Sequence, residues 1–242
     1  MFNVLHNNGF HSLPQNRDRP NPDFKLLFPE RNVYIEAVIA GKGTGTNEVE
    51  TIGDRLSRVP SGTLITGGGH IDDGNHPKVR RILNALDEKQ RRYFEKHRNA
   101  ISQNDCYVIA VNGGQIDGYV MEEGLILEAV MGINPAIHLP LRTDGSLGPG
   151  YHTTRQHVQN ALGTNLIDIA TFLRDEFREI SGVMYFGSDT VNAVLQQSNP
   201  EQIILVHNPN VIPAKALPLD TFKMFTQITF TPTEWIRHLP KT

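Results

Sequence analysis

The sequence predicts an α/β fold, with a mixed, partly parallel central sheet and flanking helices. Three observations carry this. Cys106 to Asn112 (CYVIAVN) is an unbroken apolar run, the pattern of a strand covered on both faces. Between Pro77 and His97 the apolar residues Val79, Ile82, Leu86 and Tyr93 recur at helical spacing, and Pro77 stands in the first turn, where a missing N–H costs nothing. Strand-like and helical stretches alternate along the chain, the order that packs helices onto a sheet. At 242 residues the chain can bury a sizeable core, and it reads as one domain.

In chain order, Phe2 to Asn8 reads as the end of a helix closing at Asn8-Gly9, and Pro14 to Pro22 as a polar loop. Phe24 to Phe28 and Val33 to Ala40 form a β-hairpin across Pro29-Glu30-Arg31-Asn32. Gly41 to Thr46 is a Gly/Thr loop. Val49, Ile52, Leu56 and Val59 then space a helix that Pro60 ends. Thr63 to Thr66 is a short strand and Gly67 to His76 a loop. After the long helix and the apolar strand, Glu122 to Met131 is helical. His138 to Gln156, rich in Gly, Pro, Thr and His, is a long surface excursion. Leu166 to Arg178 is read as a helix. Gly182 to Phe186, Ile203 to His207 and Phe222 to Phe230 are strands, with a short helix at Val191 to Gln197.

The longest apolar runs, such as Tyr107 to Val111, are too short to span a bilayer, and the first residues lack a basic segment followed by an apolar one. These features predict a soluble, cytoplasmic chain with no membrane partner. A single cysteine, Cys106, cannot form an internal disulfide and reads as a small buried apolar residue rather than a catalytic thiol. The net charge of -3 does not advertise a nucleic-acid binder, although a local basic groove matters more than the total.

Chemistry concentrates in the hairpin. Asp23 follows Pro22, and Glu36 lies in Val33-Tyr34-Ile35-Glu36-Ala37-Val38, a strand that is apolar on both sides. Burying a carboxylate there is costly unless something pairs with it. Two carboxylates at the mouth of a hairpin can hold Mg²⁺, with water and phosphate oxygens completing its shell. The competing reading is a solvent-facing edge glutamate with Asp23 as a turn residue. Lys89 adds a second signal. The steps Val79, Ile82, Leu86, Lys89, Tyr93 are three, four, three and four, so a lysine occupies the apolar face of the long helix. It either snorkels to water or meets a buried anion. Lys78, Arg80, Arg81, Arg91, Arg92, Lys96 and Arg98 offer phosphate contacts, or a solvated helix face.

Asn21-Pro22-Asp23-Phe24 with Val33-Tyr34-Ile35-Glu36-Ala37 resembles the PD-(D/E)xK, or restriction-endonuclease-like, nuclease superfamily, in an uncharacterised bacterial branch. Leu86-Asp87-Glu88-Lys89 with Tyr93, Tyr107 to Asn112, and Val206-His207-Asn208-Pro209-Asn210 extend the likeness. The resemblance implies a nuclease-like core over about residues 1–135, followed by the excursion and a strand-rich extension over about 180–242. It implies phosphodiester hydrolysis of nucleic acid, with Mg²⁺ or Mn²⁺ on Asp23 and Glu36; the expected partners are nucleic acid, DNA first, and a second copy of the chain in a homodimer. The lysine usually found two positions after the second acid is Val38 here. Some branches supply it from a neighbouring helix, where Lys89 stands. The alternative is a catalytically inactive nuclease fold that binds nucleic acid or a protein partner.

The remaining motifs read more plainly. Gly41-Lys42-Gly43-Thr44-Gly45-Thr46 follows a strand and precedes a helix but fits neither phosphate-loop pattern, so it reads as a flexible connection rather than a nucleotide site. From it, Lys42 is within reach of the metal site. His70, Asp72, Asp73 and His76 crowd one loop and suit either helix entry or Zn²⁺ or Mn²⁺. His207-Asn208-Pro209 reads as a structural turn, and Ser188 as a helix N-cap.

Overall fold

Apolar residues without helical spacing form the strands, and their alternation sorts them onto two faces. The computed structural model describes residues 22–44, 48–49, 76–116, 123–143, 145–159, 166–187, 203–231 and 234–240. Strands β1 (Phe24–Leu27) and β2 (Asn32–Ile39) form the expected antiparallel hairpin, closed by Phe28 N–H donating to the Arg31 carbonyl at 3.2 Å. The long helix α1 (His76–Arg92) crosses back, and β3 (Cys106–Asn112) pairs parallel to β2. Helix α2 (Glu123–Met131) follows. It stops at Gly132, whose φ of +69° and close approach to the Arg155 carbonyl exclude a side chain.

Strands β4 (Ile133–His138) and β5 (Tyr151–Thr154) make one small sheet, and β6 (His157–Gln159) and β7 (Leu166–Asp168) another. The chain then completes the main sheet with β8 (Gly182–Phe186), β9 (Ile204–His207), β10 (Thr226–Phe230) and β11 (Trp235–His238). The order among the described residues is β1-β2-β3-β8-β9-β10-β11. β3–β8 and β9–β10 are parallel, whereas β8–β9 and β10–β11 are antiparallel. The fold is therefore α/β with a mixed, partly parallel central sheet. Among the described residues no helix is long and apolar enough to cross a membrane.

Register fixes which side chains meet. Val33 stands beside Cys106 and Ile35 beside Val108, so these odd residues of β2 and even residues of β3 share the face that packs on Phe222 and Phe225. Tyr34, Val38 and Ala40 join Tyr107, Ile109 and Val111 on the other face, under α1 and α2. Helix α1 buries Val79, Ile82, Leu83 and Leu86 there, each worth about 1.5–3 kcal/mol of apolar burial. Glu36 belongs to that α1-facing set.

Two expectations are corrected. Leu166 to Arg178 is not a helix but strand β7 and two single turns of 3₁₀ helix, Thr171–Leu173 and Asp175–Phe177. Ala170 sits at φ 60°, which breaks the chain's path, and the fully buried Phe172 and Phe177 are five apart, a spacing that points away from one helix face. Similarly, Phe222 closes a 3₁₀ turn, Leu219–Phe222, and the strand starts only at Thr226. Phe222 and Phe225 stack at 5.5 Å on one side, which strand alternation forbids at a separation of three. Phe2 to Asn8, Pro14 to Asn21, the Ile52 to Val59 helix, Thr63 to Thr66, residues 70–75, Ser188 and Val191 to Gln197 lie outside the described residues.

The turn after β9 is structural, as its sequence suggests. The Asn208 side chain donates to the Phe177 and Ile180 carbonyls, both at 2.9 Å, and accepts from Asn210 N–H. His207 Nε2 lies 2.8 Å from Gln227 Oε1, and the Gln227 amide nitrogen is committed to the Leu219 and Phe222 carbonyls. Burial pushes the His207 pKa below its usual 6.5. The unfolded chain therefore binds a proton there more readily than the fold does, and stability falls as pH drops below about 6.5. Thermal unfolding between pH 7 and pH 5 should show a falling midpoint, and His207→Gln should flatten part of that slope. An unchanged slope in the variant would assign the acid sensitivity elsewhere.

Candidate functional site

Strand β2 presents Glu36 to α1 at mid-strand, and its carboxylate is completely buried. The α1 stripe Val79, Ile82, Leu86, Lys89, Tyr93 faces it, and every member is buried. Lys89 follows the second alternative raised by its position: its Nζ lies 3.2 Å from Glu36 Oε1. One turn on, Arg92 places Nη1 3.2 Å from the same oxygen. Beyond Arg92 the helix widens into a π-helical turn, Tyr93–His97, which carries the buried His97 to 3.8 Å from Glu36 Oε2. That oxygen accepts no hydrogen bond. Two cations thus offset one buried carboxylate, an arrangement whose disruption typically costs about 3–5 kcal/mol.

Asp23 stands at the start of the hairpin. The antiparallel register begins with Phe24 opposite Ile35, and Asp23 immediately precedes the strand. Asp23 Oδ2 accepts from Ala37 N–H at 2.7 Å, which fixes the carboxylate beside the peptide that follows Glu36. Glu36 and Lys89 are thus in direct contact, and Asp23 is held by the peptide one residue on from Glu36. Lys42 Nζ is 2.9 Å from Glu48 Oε1 in the loop after β2. That loop packs Gly43, at φ +79°, directly under the Arg81 guanidinium, which a side chain there would displace.

Tyr107, from β3, closes the same face. Its buried hydroxyl has no hydrogen-bond partner. Burial first, then the charge of Glu36, holds its pKa far above the usual tyrosine range, so it remains a donor. Tyr93 packs against it with ring centroids 4.6 Å apart and planes tilted by 46°, and donates its own hydroxyl to Glu179 Oε2 at 2.9 Å. The sequence reading missed Arg92, His97 and Tyr107 as members of this cluster. His97 was open to detection, since it extends the stripe by four from Tyr93.

The other charges of α1 are dispersed. Arg80 is buried, Arg98 pairs with Glu179, and Arg91 and Lys96 are exposed. A cleft of about 770 Å³ beside α1 is lined by Gln90, Phe94, Arg178 and three carboxylates, Asp175, Glu176 and Glu179, a poor setting for phosphate. Cys106 is buried and burial pushes its thiol pKa up, in keeping with a packing role. Among the described residues no group of three or more His, Cys, Asp or Glu side chains is arranged to hold a metal ion. Comparison with protein-family models, with curated proteins and with solved structures gives no match.

Proposed function

We propose that this chain is a divalent-metal-dependent nuclease with a restriction-endonuclease-like core, acting on DNA. One observation carries the reading: the buried Glu36 has one oxygen held by Lys89 and Arg92 and the other without a hydrogen bond, and the Asp23 carboxylate is held by the next residue's N–H. A buried acceptor left unsatisfied costs about 1–3 kcal/mol, more when charged, which makes it a natural point of attachment for a ligand. Carboxylates suit Mg²⁺ or Mn²⁺, which keep several waters and take only one or two of them plus phosphate oxygens, and Lys89 and Arg92 on Glu36 Oε1 compete with such an ion. Asp23 and Glu36 would hold the ion. When bound, it supplies a water of lowered pKa and offsets charge on the phosphoryl oxygens.

The chain's own groups do the rest. Lys89 orients the Glu36 carboxylate and brings a fixed ammonium to the place where phosphoryl charge develops, so no reorganisation is needed as the P–O bond breaks. It reaches the face of β2 on which Val38 also lies, two residues beyond Glu36. A lysine from α1 thus supports the role that the strand itself does not fill. A second reading, an inactive nuclease fold that binds nucleic acid or protein, is favoured by the charge balance: Lys89 and Arg92 already offset Glu36.

Cleavage assays decide between them. The protein should cut single- or double-stranded DNA with Mn²⁺ or Mg²⁺, and a chelator should stop it. No cleavage of any DNA or RNA with Mn²⁺, by protein shown to be folded, would leave the binding protein as the better description.

A further inference from the structure

Three buried polar atoms of the Glu36 cluster have no hydrogen-bond partner: Glu36 Oε2, Arg92 Nε and the Tyr107 hydroxyl. They belong to one region. Tyr107 and Ile109 share the α1-facing side of β3, and Ile109 stands beside Glu36 in the parallel register. Arg92 Nη1 lies 3.2 Å from Glu36 Oε1, and Nε is part of the same planar guanidinium. His97 spans the interval between carboxylate and tyrosine: its Nε2 is 3.8 Å from Glu36 Oε2, and its ring centroid is 6.4 Å from that of Tyr107. The charges of Glu36 and Arg92 both act on the Tyr107 hydroxyl. Each buried donor or acceptor of this kind is destabilising unless something completes its hydrogen bond.

The polarity of the three atoms decides what completes them. Arg92 Nε–H and Tyr107 O–H donate, and burial keeps the tyrosine protonated. Glu36 Oε2 accepts. A cation has no lone pair for the two donors, and Lys89 and Arg92 already occupy the other carboxylate oxygen. An anion would face the carboxylate itself. The remaining class is a neutral group with two lone pairs and a proton to give, and the complete burial of Glu36 and Tyr107 keeps it small. We infer that Glu36 Oε2, Arg92 Nε and the Tyr107 hydroxyl bind one internal water, which accepts from the two donors and donates to the carboxylate. Three hydrogen bonds are the usual complement of a buried water. This water couples Tyr107 to Glu36, which make no hydrogen bond with each other, and it fixes the second carboxylate oxygen as Lys89 fixes the first. The inference concerns the metal-free protein and stands apart from the nuclease reading.

A high-resolution crystal structure of the chelator-treated protein should show one water within hydrogen-bonding distance of all three atoms. A site without density, or a water that misses any of the three, overturns the inference. Thermal unfolding tests it in solution. Tyr107→Phe is close to isosteric and removes only the hydroxyl. If the water satisfies that hydroxyl, Tm should fall by about 2–4 °C, the shift that one hydrogen bond gives in a chain of this size. A hydroxyl with no partner predicts the opposite sign, since its removal relieves a buried unsatisfied group. A rise in Tm, or no change, therefore overturns the inference. Arg92→Lys keeps a cation beside Glu36 and removes Nε. Because both donors share one water, Tyr107→Phe should cost less stability in the Arg92→Lys background than alone, as measured by urea unfolding. Full additivity would show that the two donors have no common partner, and overturns the inference as well. If Arg92→Lys does not fold, the sign of the Tyr107→Phe shift decides alone.

Discussion

Glu36→Gln should abolish Mn²⁺-dependent cleavage, and Asp23→Asn should do the same. Each amide keeps the shape of the side chain and removes the charge that holds the ion. Loss of a metal ligand removes several kcal/mol of transition-state stabilisation, so the rate should fall by orders of magnitude. The two variants should differ in stability. Asp23→Asn keeps an acceptor for the Ala37 N–H and should remain folded with little change. Glu36→Gln leaves Lys89 buried opposite a neutral group, so its unfolding midpoint should drop. Activity must therefore be measured well below that midpoint, where the variant is folded. Undiminished cleavage by either amide, or cleavage that ignores a chelator, would rule out the assigned mechanism.

How much of this site the sequence disclosed follows from the physics of each residue. Glu36 was legible because a carboxylate amid Val33, Ile35, Ala37 and Val38 demands a partner. Lys89 was legible because helical periodicity assigns a face before any partner is known. Arg92 was not, since it sits in a helix carrying many basic residues and periodicity alone does not separate a paired arginine from a solvated one. Tyr107 was hidden inside an apolar run, where a tyrosine looks like core packing until its hydroxyl is found without a partner. The hairpin, α1, β3 and β8 were readable because each has a clear period or an unbroken apolar stretch. The segment after Leu166 was misread because its aromatic residues anchor successive tight turns, and single 3₁₀ turns leave no periodic trace. The edge strand Trp235–His238 also went unread; a four-residue strand, half-exposed along its length, is too short to establish alternation.

Lys89→Met should both destabilise the fold and stop catalysis, and the two effects can be separated. Met matches the lysine stem in the stripe between Leu86 and Tyr93, so apolar packing is kept while the ammonium is lost. Glu36 then remains buried with only the partly exposed Arg92 as a close cation, and the fold should lose about 3 kcal/mol, the lower end of the cost of breaking a buried pair. Adding Glu36→Gln to Lys89→Met should recover much of that loss, since the uncompensated charge is gone. A double-mutant cycle in thermal unfolding measures this coupling, and a value near zero would show that the 3.2 Å contact contributes nothing to the fold. Catalysis answers differently. Lys89→Met, assayed while folded, should lose cleavage by orders of magnitude, because it removes the ammonium fixed for the phosphoryl transition state. Lost cleavage in the folded single variant, together with a nonzero coupling in the stability cycle, is the signature of a lysine that serves both the fold and the reaction. If the folded single variant keeps full activity, Lys89 is a structural counter-ion and the lysine role must be filled from another element.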